Sequence, residues 1–215
     1  MKSYLVFGLG RFGQSFARTL SKLGHDVLAV DNNEDIVQQI SSEVTHALVA
    51  EAANEEFLKT VGVKNFDAAI VAIGDIQSSL LTTVLLKELG AKYILAKASN
   101  DLHAKVLYKI GVDKVIFPEK DMGIRAANSI LYRNIIDIIE LFPEYSIIEL
   151  NAPSSWIGKN IRELAVRTKY SVNIIALRKS HDLSMLPNAD TRFDENDIVV
   201  ALGKNSDLKA LQNIK

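Results

Sequence analysis

The sequence of 215 residues contains no cysteine. Disulfide bridges, thiolate metal ligands and a cysteine nucleophile are thereby excluded, and the composition fits a reducing compartment. An excess of charge of either sign is also lacking, with 25 Lys and Arg against 26 Asp and Glu. No broad basic field therefore offers itself to a nucleic-acid backbone or an anionic membrane surface. Long apolar runs are missing too. The stretch from Tyr4 to Leu9 has the length of a strand, is interrupted by Gly8 and passes directly into Gly10 and Arg11, unlike a signal peptide. Nowhere do the roughly 20 apolar residues of a bilayer span occur together. The expectation is a soluble, cytoplasmic chain whose contact with any membrane passes through a partner. Signatures of common catalysts are absent: there is no HExxH, GxSxG or Walker A pattern, and His25, His46, His103 and His181 are scattered without the spacing of a relay.

What is present is the balance of an ordinary folded protein, 48% hydrophobic and 24% charged. Short β-branched runs alternate with helical periods. Strands are expected at Tyr4–Phe7, Asp26–Val30, His46–Val49, Ala68–Ala72, Tyr93–Ala96 and Lys114–Phe117. Between them apolar residues recur at helical spacing, as in Phe12, Phe16, Leu20 and Leu23, or Leu81, Leu85 and Leu89. Such alternation describes an α/β fold, a Rossmann-like, doubly wound parallel sheet, over residues 1–120. Residues 121–143 read as a helical connector whose many Ile and Leu side chains suit either a dimer contact or an intramolecular crease. Beyond Pro143, residues 144–215 read as a small α+β domain. Its strands are expected at Ser146–Leu150, Asn173–Arg178, Leu183–Leu186 and Ile198–Leu202, with helices near Ile161–Lys169 and Asp207–Leu211.

The sharpest motif is Gly8-Leu9-Gly10-Arg11-Phe12-Gly13, directly after the first strand and opening the first helix. Its first two glycines permit a tight turn and close approach of backbone to phosphate, the third lets helix and strand pack closely, and the helix N-terminus favours an anion. Asp31 follows at the end of the second strand, where a carboxylate accepts hydrogen bonds from a ribose and repels a 2′-phosphate. NAD, ADP or ATP is thus favoured over NADP. A dehydrogenase would need a second domain with a proton donor or acceptor facing the nicotinamide, and the last 70 or so residues are few for that. A binding module is the better reading and a small NAD-dependent oxidoreductase the alternative. A nucleotide-sensing repressor would want a helix-turn-helix and a basic face, and neither is evident.

Several segments carry a resemblance: the glycine loop itself, Asn65-Phe66-Asp67 through Val71-Ala72-Ile73-Gly74, Leu81-Thr82-Thr83 with Leu86-Lys87-Glu88-Leu89-Gly90, and Phe117-Pro118-Glu119-Lys120-Asp121-Met122. Over nearly its whole length the chain resembles the regulator-of-K⁺-conductance (RCK) family, in particular the Ktr/Trk-type cytosolic subunits of bacterial potassium uptake systems. The resemblance implies an RCK-N and an RCK-C domain, and dimers assembled into a commonly octameric ring beneath an integral membrane potassium-translocating subunit. It also implies gating by ATP and ADP or NAD(H). The implied nucleotide positions are Gly8, Gly10, Arg11, Phe12, Gly13, Asp31, Asn32, Glu51, Ala52, Ala72, Ile73, Gly74 and Lys97, with Arg11 reaching a terminal phosphate of its own or a neighbouring subunit's nucleotide. Glu119 would help to hold Mg²⁺ or Ca²⁺ near it. In RCK-C, cyclic di-AMP would meet Ile161, Arg167, Asn173, Ile174 and Pro187. The chain departs from the family pattern at Ala50-Glu51-Ala52-Ala53-Asn54, where a hydroxyl is lost, and in a loop Gly74–Ser79 that is one residue short, so the departures bear on which nucleotide is chosen.

Overall fold

A computed structural model describes residues 1–131, 135–179, 182–185, 187–212 and 214. The chain divides into two compact units, Met1–Glu119 and Lys120–Lys215.

The first unit runs β1 (Ser3–Phe7), α1 (Arg11–Lys22), β2 (Asp26–Asp31), α2 (Glu34–Ile40), β3 (His46–Val49), α3 (Glu55–Val61), β4 (Ala68–Val71), α4 (Ile76–Glu88), β5 (Ile94–Lys97), α5 (Asp101–Ile110) and β6 (Lys114–Ile116). Its six strands are all parallel in the order β3-β2-β1-β4-β5-β6. Alternation of side chains along the central strand explains why helices cover both faces. Leu5 and Phe7 enter one core with Val71, Leu86 and Ile94, while Val6 enters the opposite core with Leu9, Val27 and Ile70. The chain order reverses between β1 and β4, and their carboxyl ends leave a crevice there.

Most of the helices leaving this sheet are started by a side chain. Asn33, Asn54, Asp75 and Asn100 accept hydrogen bonds from the backbone N–H groups of Ile36, Phe57, Ser78 and His103. Each satisfies an N–H that the first turn of a helix leaves open. Helix α1 differs: its cap is Gly10, no side chain bonds its first turn, and no acidic residue lies in that turn.

Helix α6 (Pro118–Leu131) leads into the second unit. There β7 (Ile135–Phe142), β8 (Tyr145–Asn151), α7 (Ile161–Leu164), α8 (Val166–Tyr170), β9 (Asn173–Lys179), β10 (Asp182–Met185), β11 (Ile198–Lys204) and α9 (Asn205–Gln212) follow. The sheet is antiparallel, β10-β9-β11-β8-β7, around a core with Trp156, Phe193, Leu177 and Leu150.

Two expectations need correction. Of the helical connector expected over 121–143, the part to Leu131 is helix, residues 132–134 lie outside the described residues, and Ile135–Phe142 is an edge strand paired with β8 across Pro143 and Glu144. Four β-branched isoleucines within five residues favour extended backbone, and the proline cannot continue a helix. The second is the helix expected near Ile161–Lys169, which is broken at Ala165, where φ is 46°. Left-handed backbone there turns α7 into α8 and cannot belong to a continuous helix.

Candidate functional site

The crevice between β1 and β4 is a cleft of about 340 Å³ lined by Gly8, Gly10, Val30, Asp31, Asn32, Ala50, Glu51, Ala52, Ala53, Ala72, Ile73, Gly74, Asp75, Ser78 and Lys97. That volume lies within the range of small-molecule sites. It is made by close backbone packing. Gly8 has φ of 85°, and a Cβ on it would meet the carbonyl of Ala72 and the nitrogen of Ile73 at 2.8–2.9 Å. A Cβ on Gly13 would overlap the Gly8 carbonyl oxygen, so only glycine lets α1 start this close to the sheet. At Gly10 a Cβ would meet nothing within 4 Å. The space it would fill belongs to the cleft, and the open N–H groups of α1 begin there.

Asp31 closes the β2 side. Its Oδ2 accepts from the Leu9 N–H at 2.6 Å and its Oδ1 from the Asn33 N–H at 2.9 Å, which holds the carboxylate at the loop. Beside it the Asn32 amide donates to Glu51 at 3.1 Å. On the other side Asp75 accepts from both the backbone N–H and the hydroxyl of Ser78, at 2.8 and 2.7 Å, and these bonds hold its carboxyl below the usual range. Farther out, the Lys97 ammonium donates to Glu119 at 2.5 Å, and that bond lowers the Glu119 pKa.

Of the thirteen nucleotide positions expected from the resemblance, ten line this cleft and Arg11, Phe12 and Gly13 do not. Gly13 acts from behind by permitting the close packing. Phe12 turns into the core under α1, with its ring 5.6 Å from that of Phe16. Arg11 lies exposed on the outer side of α1 beside Gln14, Ser15, Arg18, Thr19 and Lys22, so within one chain it does not reach the cleft. Val30, Ala50, Ala53, Asp75 and Ser78 line the cleft without having been singled out. Asp75 and Ser78 carried a legible signal, a capping pair ahead of an apolar helix at a strand's carboxyl end.

Glu119 was expected to help hold a metal. In this chain its carboxylate is engaged by an ammonium, and among the described residues no three His, Asp or Glu side chains converge. Mg²⁺ and Ca²⁺ require several oxygens, so the described residues of one chain do not by themselves fit a metal site. The positions expected for cyclic di-AMP also stay apart. Asn173 lines a hollow with Tyr145, Ser171, Leu202, Gly203, Lys204 and Asp207, which contains none of the other four. Ile161 and Ile174 pack against the core of the second unit, and Arg167 is exposed on α8. Pro187 follows β10 and is half-buried.

The chain matches the family model of the TrkA-N domain over residues 4–118 and that of the TrkA-C domain over residues 145–215. It is 45% identical to the Ktr system potassium uptake protein A of Bacillus subtilis over 213 residues, 99% of this chain and 96% of that one. It is 33% identical to the protein of the same name from Vibrio alginolyticus, over 96% of this chain and 94% of that one. Among solved structures, the GsuK channel bound to NAD superposes with a TM-score of 0.69 at 20% identity, covering 99% of this chain and 39% of that one. This last likeness is one of fold. With both domain models matched in order and close relatives aligned end to end, the chain belongs to the TrkA-N/TrkA-C family of potassium uptake proteins that includes the Ktr system proteins.

Proposed function

We propose that the chain is the nucleotide-binding regulatory subunit of a potassium uptake system, a homo-oligomer that docks on an integral membrane potassium-translocating subunit and alters its conductance when nucleotide binds. The observation that carries the reading is the cleft. It offers an uncapped helix N-terminus to an anion and a carboxylate at the ribose position, yet among the described residues no histidine lines it, and the one hydroxyl–carboxylate pair there, Ser78 and Asp75, is occupied in capping α4. Binding without chemistry is what a switch requires, provided the ligand has different affinities for two assembly shapes.

ATP, ADP or NAD(H) is the proposed ligand class. Asp31, Asn32 and Glu51 would hold the ribose side, and Gly8, Gly10 and the α1 N-terminus the phosphates. Arg11 faces outward, so its proposed role is toward the nucleotide of a neighbouring subunit, where a guanidinium suits phosphate geometry. Assembly draws support from the second unit, which exposes Ile136, Ile139, Leu141 and Phe142 along β7 and Ile124 and Ile130 on α6. An octameric ring is the proposed form. No helix among the described residues is long and apolar enough to cross a membrane, so placement at the membrane through the partner is part of the same proposal. A second ligand in the TrkA-C region, of the cyclic di-AMP class, is proposed at Ile161, Arg167, Asn173, Ile174 and Pro187, by a second copy completing what one chain leaves apart.

Calorimetric titration of ATP, ADP, NADH and cyclic di-AMP, beside Arg11→Ala and a mass measurement, tests this. Micromolar ATP and ADP binding to a ring, with the preference for ATP lost in the variant, is expected. NADH binding alone to a dimer, indifferent to Arg11, would return the oxidoreductase reading to the front.

A further inference from the structure

Both sheets are open, so the described residues present four edge strands, β3, β6, β10 and β7. An edge offers unpaired N–H and C=O groups, and folded proteins blunt it with charge, shortness or irregularity. Three of the four are blunted in this way. Strand β6 has three residues and carries Lys114, β10 begins at Asp182, and β7 carries Asp137 and Glu140 and slips register twice. Strand β3, His46-Ala47-Leu48-Val49, has no Lys, Arg, Asp or Glu, no proline and no irregularity in its pairing with β2.

The Ala50 N–H bonds the Asp31 carbonyl of β2 at 2.9 Å. Directions alternate along a strand, so Leu48 is turned to β2 with Ala50, and the N–H and C=O groups of Ala47 and Val49 face outward. The side chains of Leu48 and Val49 point to opposite faces of the sheet, yet they are 42% and 52% exposed. Helices therefore leave both faces of the strand's end uncovered, and an added strand would find an apolar side chain on either side.

Charge names the occupant. From Asp26 to Val61, the stretch that builds β2, α2, β3 and α3, there are eight Asp and Glu and a single Lys, in a chain whose net charge is only −1. Glu43 precedes β3, Glu51 follows it, and Glu34 and Asp35 open α2, the helix packed on β3; all four are exposed. A second copy of the chain on this edge would set like charges against each other, whereas a basic segment would be drawn in. Cytosolic segments of membrane proteins carry an excess of Lys and Arg.

We propose that the outer edge of β3 is a strand-addition site for an extended, Lys- and Arg-flanked cytosolic segment of the integral membrane potassium-translocating subunit. The proposal rests on the membrane-partner reading above and names its docking edge. Backbone hydrogen bonds to Ala47 and Val49 hold the segment, Leu48 and Val49 meet its apolar side chains, and the flanking carboxylates select its charge. Ala50 and Glu51, directly after β3, line the cleft, so segment and ligand meet the same end of one strand.

Binding titration and amide hydrogen exchange on the full chain, with the detergent-purified potassium-translocating subunit of the same cell as the probe, test this. Binding is expected to slow exchange at the N–H groups of Ala47 and Val49. Val49→Pro removes one outward N–H and no bond to β2, and it is expected to weaken binding by about three- to tenfold, the worth of a backbone hydrogen bond. Val49→Lys keeps the backbone and places a cation on the edge; it should show a comparable loss, whether or not the proline variant folds. Glu34→Gln combined with Asp35→Asn is expected to weaken binding by about two- to fivefold at low salt, with the difference vanishing at high salt. Unchanged affinity in both Val49 variants, or binding without protection at Ala47 and Val49, overturns strand addition and leaves the carboxylates as a guard against self-association. Unchanged affinity in the acid variant overturns the basic occupant. Protection that grows with chain concentration alone overturns the proposal too, for the occupant is then a second copy. A wild-type chain that does not bind the subunit at all removes the membrane-partner reading itself.

Discussion

Gly10 and Gly13 stand three positions apart in one motif, yet they do different work. Gly13 is required by packing, since any Cβ there overlaps the Gly8 carbonyl oxygen. Gly13→Ala should lower stability by about 2–3 kcal/mol in denaturant titration, the scale of overpacking against rigid backbone. At Gly10 packing makes no such demand, which leaves the proposed ligand as the reason for a glycine. Its φ is −62° and a Cβ would meet nothing, so Gly10→Ala should change stability by no more than about 0.5 kcal/mol. Nucleotide affinity should nevertheless fall by at least about tenfold, or ~1.4 kcal/mol, as the methyl occupies the phosphate's approach. A Gly10→Ala chain that binds normally would argue against phosphate at α1. Asp67 tests a structural carboxylate. It accepts from the Ser3 N–H at 2.8 Å, and this bond holds its pKa below the ordinary 3.8. A depressed carboxylate stabilises fully above its unfolded value and loses that contribution as pH falls through its folded one. Asp67→Asn should therefore melt below wild type at neutral pH, and the gap should close under acid conditions, below pH 3.8.

At the scale of elements, the starts and breaks of helices mark function and strain. Asn and Asp caps start α2, α3, α4 and α5, whereas α1, whose N-terminus opens on the cleft, has no side-chain cap. The break at Ala165 is a different case. Its left-handed backbone, φ 46°, costs an alanine about 1 kcal/mol or more, while glycine adopts it freely at some expense in chain entropy. Ala165→Gly should be neutral or stabilising by up to about 1 kcal/mol in thermal melts. A loss larger than that would mean the Ala165 methyl has a packing role.

At the scale of the whole molecule, the exposed apolar side chains of β7 are the feature one chain leaves without an internal purpose. Phe142 is 67% exposed at the end of that strand. Phe142→Glu should leave the far-ultraviolet circular dichroism unchanged while reducing the mass measured by light scattering. An unaltered oligomer would move the contact elsewhere.

Much of this was legible in the residues because it is local. The glycine spacing after an apolar run, the acid at the end of the second strand and the alternation of strand and helix each follow from backbone sterics and side-chain periodicity, and they led to a doubly wound sheet with a cleft at its switch point. The run from Ile135 to Phe142 was misread because apolar residues this dense satisfy both periods. Only pairing with β8 across Pro143 decided for a strand. The outward placement of Arg11, the engagement of Asp31 with the Leu9 N–H and the pairing of Lys97 with Glu119 joined residues whose meeting no local rule encodes. Sequence by itself determined that the glycine loop and the acid after the second strand stand at the mouth of the cleft. The tertiary structure decided which of them face it, because the direction of a side chain depends on what the neighbouring strands and helices leave open.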